Sequence, residues 1–251
     1  MTPAPGNGPI LEAKSLNKRF GGIHAARDVS LHVMPGEVVA LAGDNGAGKS
    51  TVIKIIAGVY KPDGGEVHYQ GERVDQLTPR EIRDRGIETI YQDLALADNL
   101  DVGTNLFLGR EKVKHLLGLP YLDRKTMRSE AAKALEALGI VVRDLDAPVR
   151  TLSGGQRQAL AIGRAVYWHA RLLIMDEPTA ALGVPEQREV LALIHRLKES
   201  GVGIIFISHN LHDIFAVSDR IVVLERGRKA GERLASETDG DEVVKLMMGG
   251  A

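Results

Sequence analysis

The stretch Gly43-Asp44-Asn45-Gly46-Ala47-Gly48-Lys49-Ser50-Thr51 fits G-x-x-x-x-G-K-[ST], a loop that can hold a polyphosphate. Glycines let successive backbone N–H groups curl round phosphate oxygens, and a helix N-terminus behind them adds positive potential. In this reading Lys49 reaches the β and γ phosphates, Ser50 a magnesium ion and Thr51 the α phosphate. A glycine-rich turn between strand and helix accounts for the glycines but not for Lys49. A cation in a helix's first turn opposes the helix dipole unless an anion is bound there.

Other residues could complete such a site. Leu172-Leu173-Ile174-Met175 is an apolar run closed by Asp176 and Glu177. Asp176 could hold magnesium through water, and Glu177 could orient or deprotonate an attacking water. An acid pair after a strand is a weak signal alone and a strong one beside a phosphate loop. Gln92, after Ile87–Tyr91, and His209, after Gly203–Ser208, sit at corresponding strand ends, Gln92 as a sensor of magnesium and water and His209 as a donor to the γ phosphate. Taken singly, Gln92 reads as a surface amide and His209 as a helix cap or a partly buried ring. Ser153 and Gln156, in Leu152-Ser153-Gly154-Gly155-Gln156-Arg157-Gln158, have capping-box spacing. That spacing leaves Gly154 and Gly155 unexplained, since each costs about 1 kcal/mol against Ala in a helix. The pair suggests close approach to the backbone, with a second polyphosphate as the natural candidate.

The elements that must position these residues follow from periodicity. Strands are expected at Val29–Val33, Val38–Ala42, Ile87–Tyr91, Leu172–Met175, Val202–Ser208 and Arg220–Glu225. Helices are expected at Lys49–Ala57, Arg124–Leu138 and Pro185–Glu199. Such alternation means an α/β fold with a mainly parallel sheet, whose carboxyl strand ends gather ligands. Between about Asp98 and Trp168 the strand signal disappears, which marks a helical insertion. The first residues, to about Pro9, are expected to be loose.

GDNGAGKST, Gln92, LSGGQRQ, LLIMDEP and His209 stand in the order found in ATP-binding cassette (ABC) transporter ATPases, and the chain resembles that family over essentially its whole length. The resemblance implies one ATP-binding domain over residues 9–248: a mainly parallel core, an antiparallel β portion from the first ~70 residues and a helical subdomain at about 98–168. It implies ATP and Mg2+ as cofactors. Glu177, His209, Gln92 and Lys49 would be catalytic, with Ser50, Gln92 and Asp176 around the metal. Phe20 lies where the family places an aromatic that stacks on adenine. A core Phe is the plainer reading, but the following Gly21-Gly22 leaves the ring face open. The resemblance also implies a second copy of the chain, with Ser153, Gly154 and Gly155 of one copy facing Lys49 of the other. Gly183 departs from the pattern: the family usually carries Asp there, in a loop crossing the dimer interface.

Asn45, Ile90-Tyr91-Gln92, Asn105-Leu106-Phe107-Leu108-Gly109-Arg110-Glu111 and PTAALG look like the ATPases of bacterial monosaccharide importers of the ribose, xylose and fructose group, here in single-cassette form. The partners implied are a membrane permease, expected to dock on the helical insertion between Leu94 and Glu111, and indirectly a periplasmic sugar-binding protein. The location implied is the cytoplasmic face of the plasma membrane. An importer of another polar solute and a soluble non-transport cassette remain as alternatives. Composition adds exclusions. Cys is absent, which removes disulfides and thiolate sites, and 32 Lys plus Arg against 33 Asp plus Glu leave no excess to bind nucleic acid. No apolar run exceeds five residues, far short of the ~20 that a membrane helix needs. The start of the chain lacks the pattern of a secretory signal.

Overall fold

Val38–Ala42 is apolar at every position and buried at every position, as expected of a strand covered on both faces. The structure, a computed structural model, describes residues 8–116, 119–142 and 144–250. Residues 1–7, where a loose tail is expected, lie outside the described residues. Contacts group the chain into two units. One holds the residues up to Thr89, Ala170–Glu177 and those from Leu197 onward; the other holds Ile90–His169 and Pro178–Arg196.

In chain order the first unit begins with strands β1 (Leu11–Phe20), β2 (Ile23–Val33) and β3 (Val38–Ala42). It continues with helix α1 (Lys49–Ile56), β4 (Gly64–Tyr69), β5 (Glu72–Arg73), α2 (Pro79–Asp84) and β6 (Ile87–Ile90). The second unit holds α3 (Val102–Leu106), β7 (Val113–Leu116), β8 (Leu119–Leu122), α4 (Arg124–Ala137), α5 (Gly154–Tyr167) and most of α6 (Val184–Glu199). Back in the first unit are β9 (Leu172–Asp176), β10 (Gly203–Ile207), α7 (Leu211–Val217), β11 (Arg220–Glu225), β12 (Arg228–Leu234) and α8 (Gly240–Met247).

The core sheet runs β12-β11-β3-β10-β9-β6. The pairs β11–β3, β3–β10 and β10–β9 are parallel, and β12 is antiparallel. A second sheet, β2-β1-β4-β5, is antiparallel throughout. One hydrophobic cluster joins the two, with Leu16 and Leu31 from the antiparallel sheet, Leu41 and Ile207 from the parallel one and Ile55 from α1. Burying a Leu or Ile side chain contributes about 1.5–3 kcal/mol, so this cluster fixes both sheets on α1.

Departures from expectation include the start of β2 and a hairpin in the second unit. β2 begins at Ile23, not Val29, because Asp28 takes a left-handed backbone at a register break against β1 and hides the alternation. The second unit also contains strands where none is expected. β7 and β8 pair antiparallel from Val113↔Leu122 to Leu116↔Leu119. Val113, Leu119, Tyr121 and Leu122 are all exposed, so the hairpin lacks the apolar–polar alternation that a half-buried strand shows.

Candidate functional site

Three adjacent strands of the parallel sheet end at the residues singled out for chemistry. β3 runs into Gly43–Gly48, β10 into Ser208 and His209, and β9 ends on Asp176 with Glu177 next. Parallel α/β sheets gather ligands at these carboxyl ends, where helix N-termini also point.

The loop needs glycine at Gly43 and Gly48. Gly43 has φ +145°, and a Cβ there would meet the Leu224 carbonyl oxygen at 2.3 Å. Gly48 has φ +103°, and its Cβ would meet the Ala25 carbonyl oxygen at 2.4 Å. Between them Ala47 is buried and its N–H donates to the Asp44 carbonyl at 3.1 Å, while Asp44, Asn45 and Gly46 are exposed. Gly48 caps α1 without a side-chain hydrogen bond, and no acid stands in the helix's first turn. The dipole at this end of α1 is therefore offset by no acid of its own first turn, which is the setting for an anion. Ser50 is exposed and Thr51 partly so. The Lys49 ammonium folds back onto the Gly43 and Asp44 carbonyls, at 2.5 and 3.0 Å. Burial lowers its pKa, against the opposing charges of Glu177, Asp44 and Asp176.

Asp176 and Glu177 share one pocket of charge. Burial and the neighbouring Glu177 push the Asp176 carboxyl up, and Lys49 and Lys54 only partly offset them. Glu177 adopts φ +53°, a left-handed backbone that is uncommon outside glycine and costs of order 1 kcal/mol. Its N–H donates to the Ile207 carbonyl at 2.9 Å, which ties the turn to the adjacent strand. Its carboxylate lies 2.7 Å from His209 Nδ1. Phe20, at the end of β1, is 42% exposed and meets Tyr60 edge-on with centroids 5.2 Å apart. It is a surface ring, with the Lys18 ammonium over it 5.6 Å from its centroid.

The remaining residues belong to the second unit. Gln92 is exposed, two positions beyond the end of β6. Ser153 caps α5 in a reciprocal box: its hydroxyl accepts from the Gln156 N–H at 3.3 Å, and Gln156 Oε1 accepts from the Ser153 N–H at 3.0 Å. Gly154 and Gly155 have a packing reason inside the chain. A Cβ on Gly154 would stand 2.8 Å from Leu182 Cδ2, and one on Gly155 would stand 2.9 Å from Glu186 Cβ. Among the described residues no cluster of three or more His, Asp or Glu could hold a metal unaided. No helix there is long and apolar enough to cross a membrane.

The profile of the ABC transporter family matches residues 26–180. The chain belongs to the ABC transporter family. It is 46% identical to the xylose/arabinose import ATP-binding protein XylG of Sulfolobus acidocaldarius, over 95% of this chain and 93% of that protein. The fructose import ATP-binding protein FrcA of Rhizobium meliloti is 45% identical over 88% of this chain and 86% of its own. The ribose import ATP-binding protein RbsA 1 of Rubrobacter xylanophilus is 44% identical over 96% of this chain, which spans only 47% of that relative's length. Among solved structures, the ATP-binding cassette MJ1267 of an ABC transporter has a TM-score of 0.82 at 28% identity, covering 96% of this chain and 99% of that one. The cassette MJ0796, solved as a post-hydrolysis dimer bound to ADP and Pi, has a TM-score of 0.74 at 26% identity over 90% and 98%.

Within the ABC ATPase fold, two segments acquire a different meaning. Asn105, part of the stretch resembling sugar importers, is fully buried and clamps the loop before α3. Its amide donates to the Ala97 and Asp101 carbonyls at 3.0 Å and accepts from the Ala97 N–H at 2.8 Å. Phe107 packs edge-on against Tyr167 and Trp168. That stretch organises the helical part of this cassette. Sequence reasoning also missed Glu186, whose one signal is an acid three residues past Gly183 at the start of α6.

Proposed function

We propose that this cassette hydrolyses Mg-ATP to power import of a monosaccharide through a membrane permease, working as a head-to-tail pair of copies. One observation carries the reading: three neighbouring parallel strands end at the Lys49 loop, at His209 and at Asp176–Glu177. Residues 9–248 act as one nucleotide-binding unit. The N–H groups of Gly43–Thr51 and the Lys49 ammonium receive the phosphates, and Phe20 stacks on the base. Ser153, Gly154 and Gly155 of the second copy cover the γ phosphate. Ser50, Asp176 and Gln92 would hold the magnesium, which would draw charge off the phosphate oxygens. Asp176 suits that role, since a carboxyl disfavoured by burial and by a neighbouring acid is relieved by a cation.

In the reaction Glu177 accepts a proton from the attacking water as its oxygen bonds to the γ phosphorus. The bond to the bridging oxygen breaks and ADP leaves with the electron pair. His209 gives up its contact with Glu177 and donates to a γ-phosphate oxygen. Positioned acid–base groups contribute about 10²–10⁴-fold. The permease docks on the helical unit, so the chain sits on the cytoplasmic face of the plasma membrane, and a periplasmic sugar-binding protein supplies the permease.

The test is uptake of radiolabelled xylose, arabinose, ribose and fructose by cells carrying the parent chain or Glu177→Gln. Parent-dependent uptake of one of these sugars, lost in the variant, supports the reading. Uptake of all four indifferent to the chain overturns the assignment to monosaccharides.

A further inference from the structure

The N-terminus of α5 already carries an anion, and it comes from the same chain. Glu186 stands in the first turn of α6, and its Oε2 accepts from the Gly183 N–H at 3.0 Å. Its stem lies against the backbone of Gly155, where a Cβ would meet Glu186 Cβ at 2.9 Å and Cγ at 3.2 Å. The Gly183 N–H, then the Ser153 hydroxyl and the Gly155 N–H, hold the Glu186 carboxyl below the usual carboxylate range. A plain helix cap explains the bond to Gly183, because an acid at the third helical position commonly reaches back to the capping residue. It does not explain why the same carboxylate reaches the donors of a second helix.

We propose that Glu186 is an internal counter-anion that occupies the Ser153–Gly155 donors in the nucleotide-free chain and must withdraw before the partner copy's γ phosphate can take them. This rests on the reading that Ser153 and Gly155 cover that phosphate. One set of donors cannot serve two anions at once, and the side chain that is displaced stays nearby as a like charge. Glu186 therefore raises the ATP concentration needed for dimerisation without touching the Lys49 loop. Gly183 has a part in this device. Its Cβ position lies 3.4 Å from Glu186 Oε2, in ordinary contact, so an acidic side chain there would set a like charge beside the carboxylate, whereas glycine leaves it seated.

The experiment is an ATP titration followed by sedimentation velocity, in a Glu177→Gln background so that nucleotide survives. Glu186→Gln keeps the shape and removes the charge. It should lower the ATP concentration for half-maximal dimerisation about threefold to tenfold, the scale of a charge at a helix end. Binding of a fluorescent ATP analogue to the dilute monomer should stay unchanged. An unaltered or raised ATP requirement overturns the proposal, since Glu186 would then be a cap or a support for Ser153. If Glu186→Gln fails to fold, Gly183→Asp tests the same point by charge repulsion, with Gly183→Asn as the neutral control. Asp should then lower the requirement and Asn should not; equal behaviour overturns the proposal. Adding Ser153→Arg separates the two levels. A dimer that survives it removes the underlying reading, whereas a dimer lost with Ser153→Arg but indifferent to Glu186→Gln removes only this inference.

Discussion

His209 Nδ1 lies 2.7 Å from Glu177 Oε2, each residue just past the end of one of two adjacent parallel strands. The acid is four-fifths covered and the imidazole mostly exposed, at 20% and 76% side-chain exposure. Water activation is therefore expected to fail when either is removed. Glu177→Gln should slow phosphate release at least ~100-fold while retaining Mg-ATP binding, the scale of a lost acid–base group. His209→Ala should lower the rate in the same direction. Stopped-flow phosphate detection checks both, and parent rates in both would remove Glu177 and His209 from the site.

The loop should tolerate no side chain at Gly48. Gly48→Ala places a methyl 2.4 Å from the Ala25 carbonyl oxygen on a left-handed backbone. It should cost at least ~1–3 kcal/mol of stability and abolish nucleotide binding. Lys49→Ala should lose affinity while melting close to the parent. Calorimetric melting beside nucleotide titration separates these two outcomes.

Asp176 should trade stability for chemistry. Burial and Glu177 raise its pKa, so its charged form is disfavoured in the free protein at neutral pH, and that penalty fades as pH falls. Asp176→Asn is expected to raise the metal-free thermal midpoint by a few degrees and to lose magnesium-dependent hydrolysis. A lower midpoint at pH 7 would contradict the electrostatic account.

Asp123 provides the acid-limb prediction. Lys114 and Thr126 hold its carboxyl down at about 2, against an ordinary value of 3.8. A depressed folded value means a stabilising contribution that is complete above pH ~4 and lost as pH falls through ~2. Urea midpoints of Asp123→Asn should therefore converge on those of the parent over that window and lie below them at neutral pH. A constant offset down to pH 2 would argue against the Lys114 pairing.

How much was legible beforehand can be argued from particular residues. β3, β9, β10 and β11 are covered on both faces, so uninterrupted apolar runs mark them with bounds within a residue or two. The glycine-lysine loop between β3 and α1 is equally plain, because its backbone permits so few residue types. β7 and β8 stayed hidden because Val113, Leu119, Tyr121 and Leu122 are exposed with no alternation. Glu186 stayed hidden for another reason. A surface acid on an amphipathic helix is ordinary until its carboxylate is found on the donors of another helix. The glycine pair at Gly154–Gly155 was visible, but its packing against Leu182 and Glu186 depends on tertiary placement.

Coupling to transport should be separable from hydrolysis. Asp98 is exposed and only loosely paired with Arg157 at 3.8 Å, and Leu108 is an exposed apolar residue nearby in sequence. An exposed pair of that kind contributes about 0–1 kcal/mol, so Asp98→Lys should leave the fold intact. Asp98→Lys with Leu108→Asp is expected to abolish uptake in membrane vesicles while basal hydrolysis stays within about twofold. Equal loss of both activities would place the permease contact elsewhere.

The central claim is that each ATP site is built from two copies of the chain, Lys49 of one and Ser153 of the other. Sedimentation velocity of Glu177→Gln, with ATP, with ADP and with Ser153→Arg added, tests it most directly. The account predicts a dimer with ATP that is absent with ADP and lost with Ser153→Arg. A sedimentation coefficient indifferent to both nucleotide and Ser153 would contradict it.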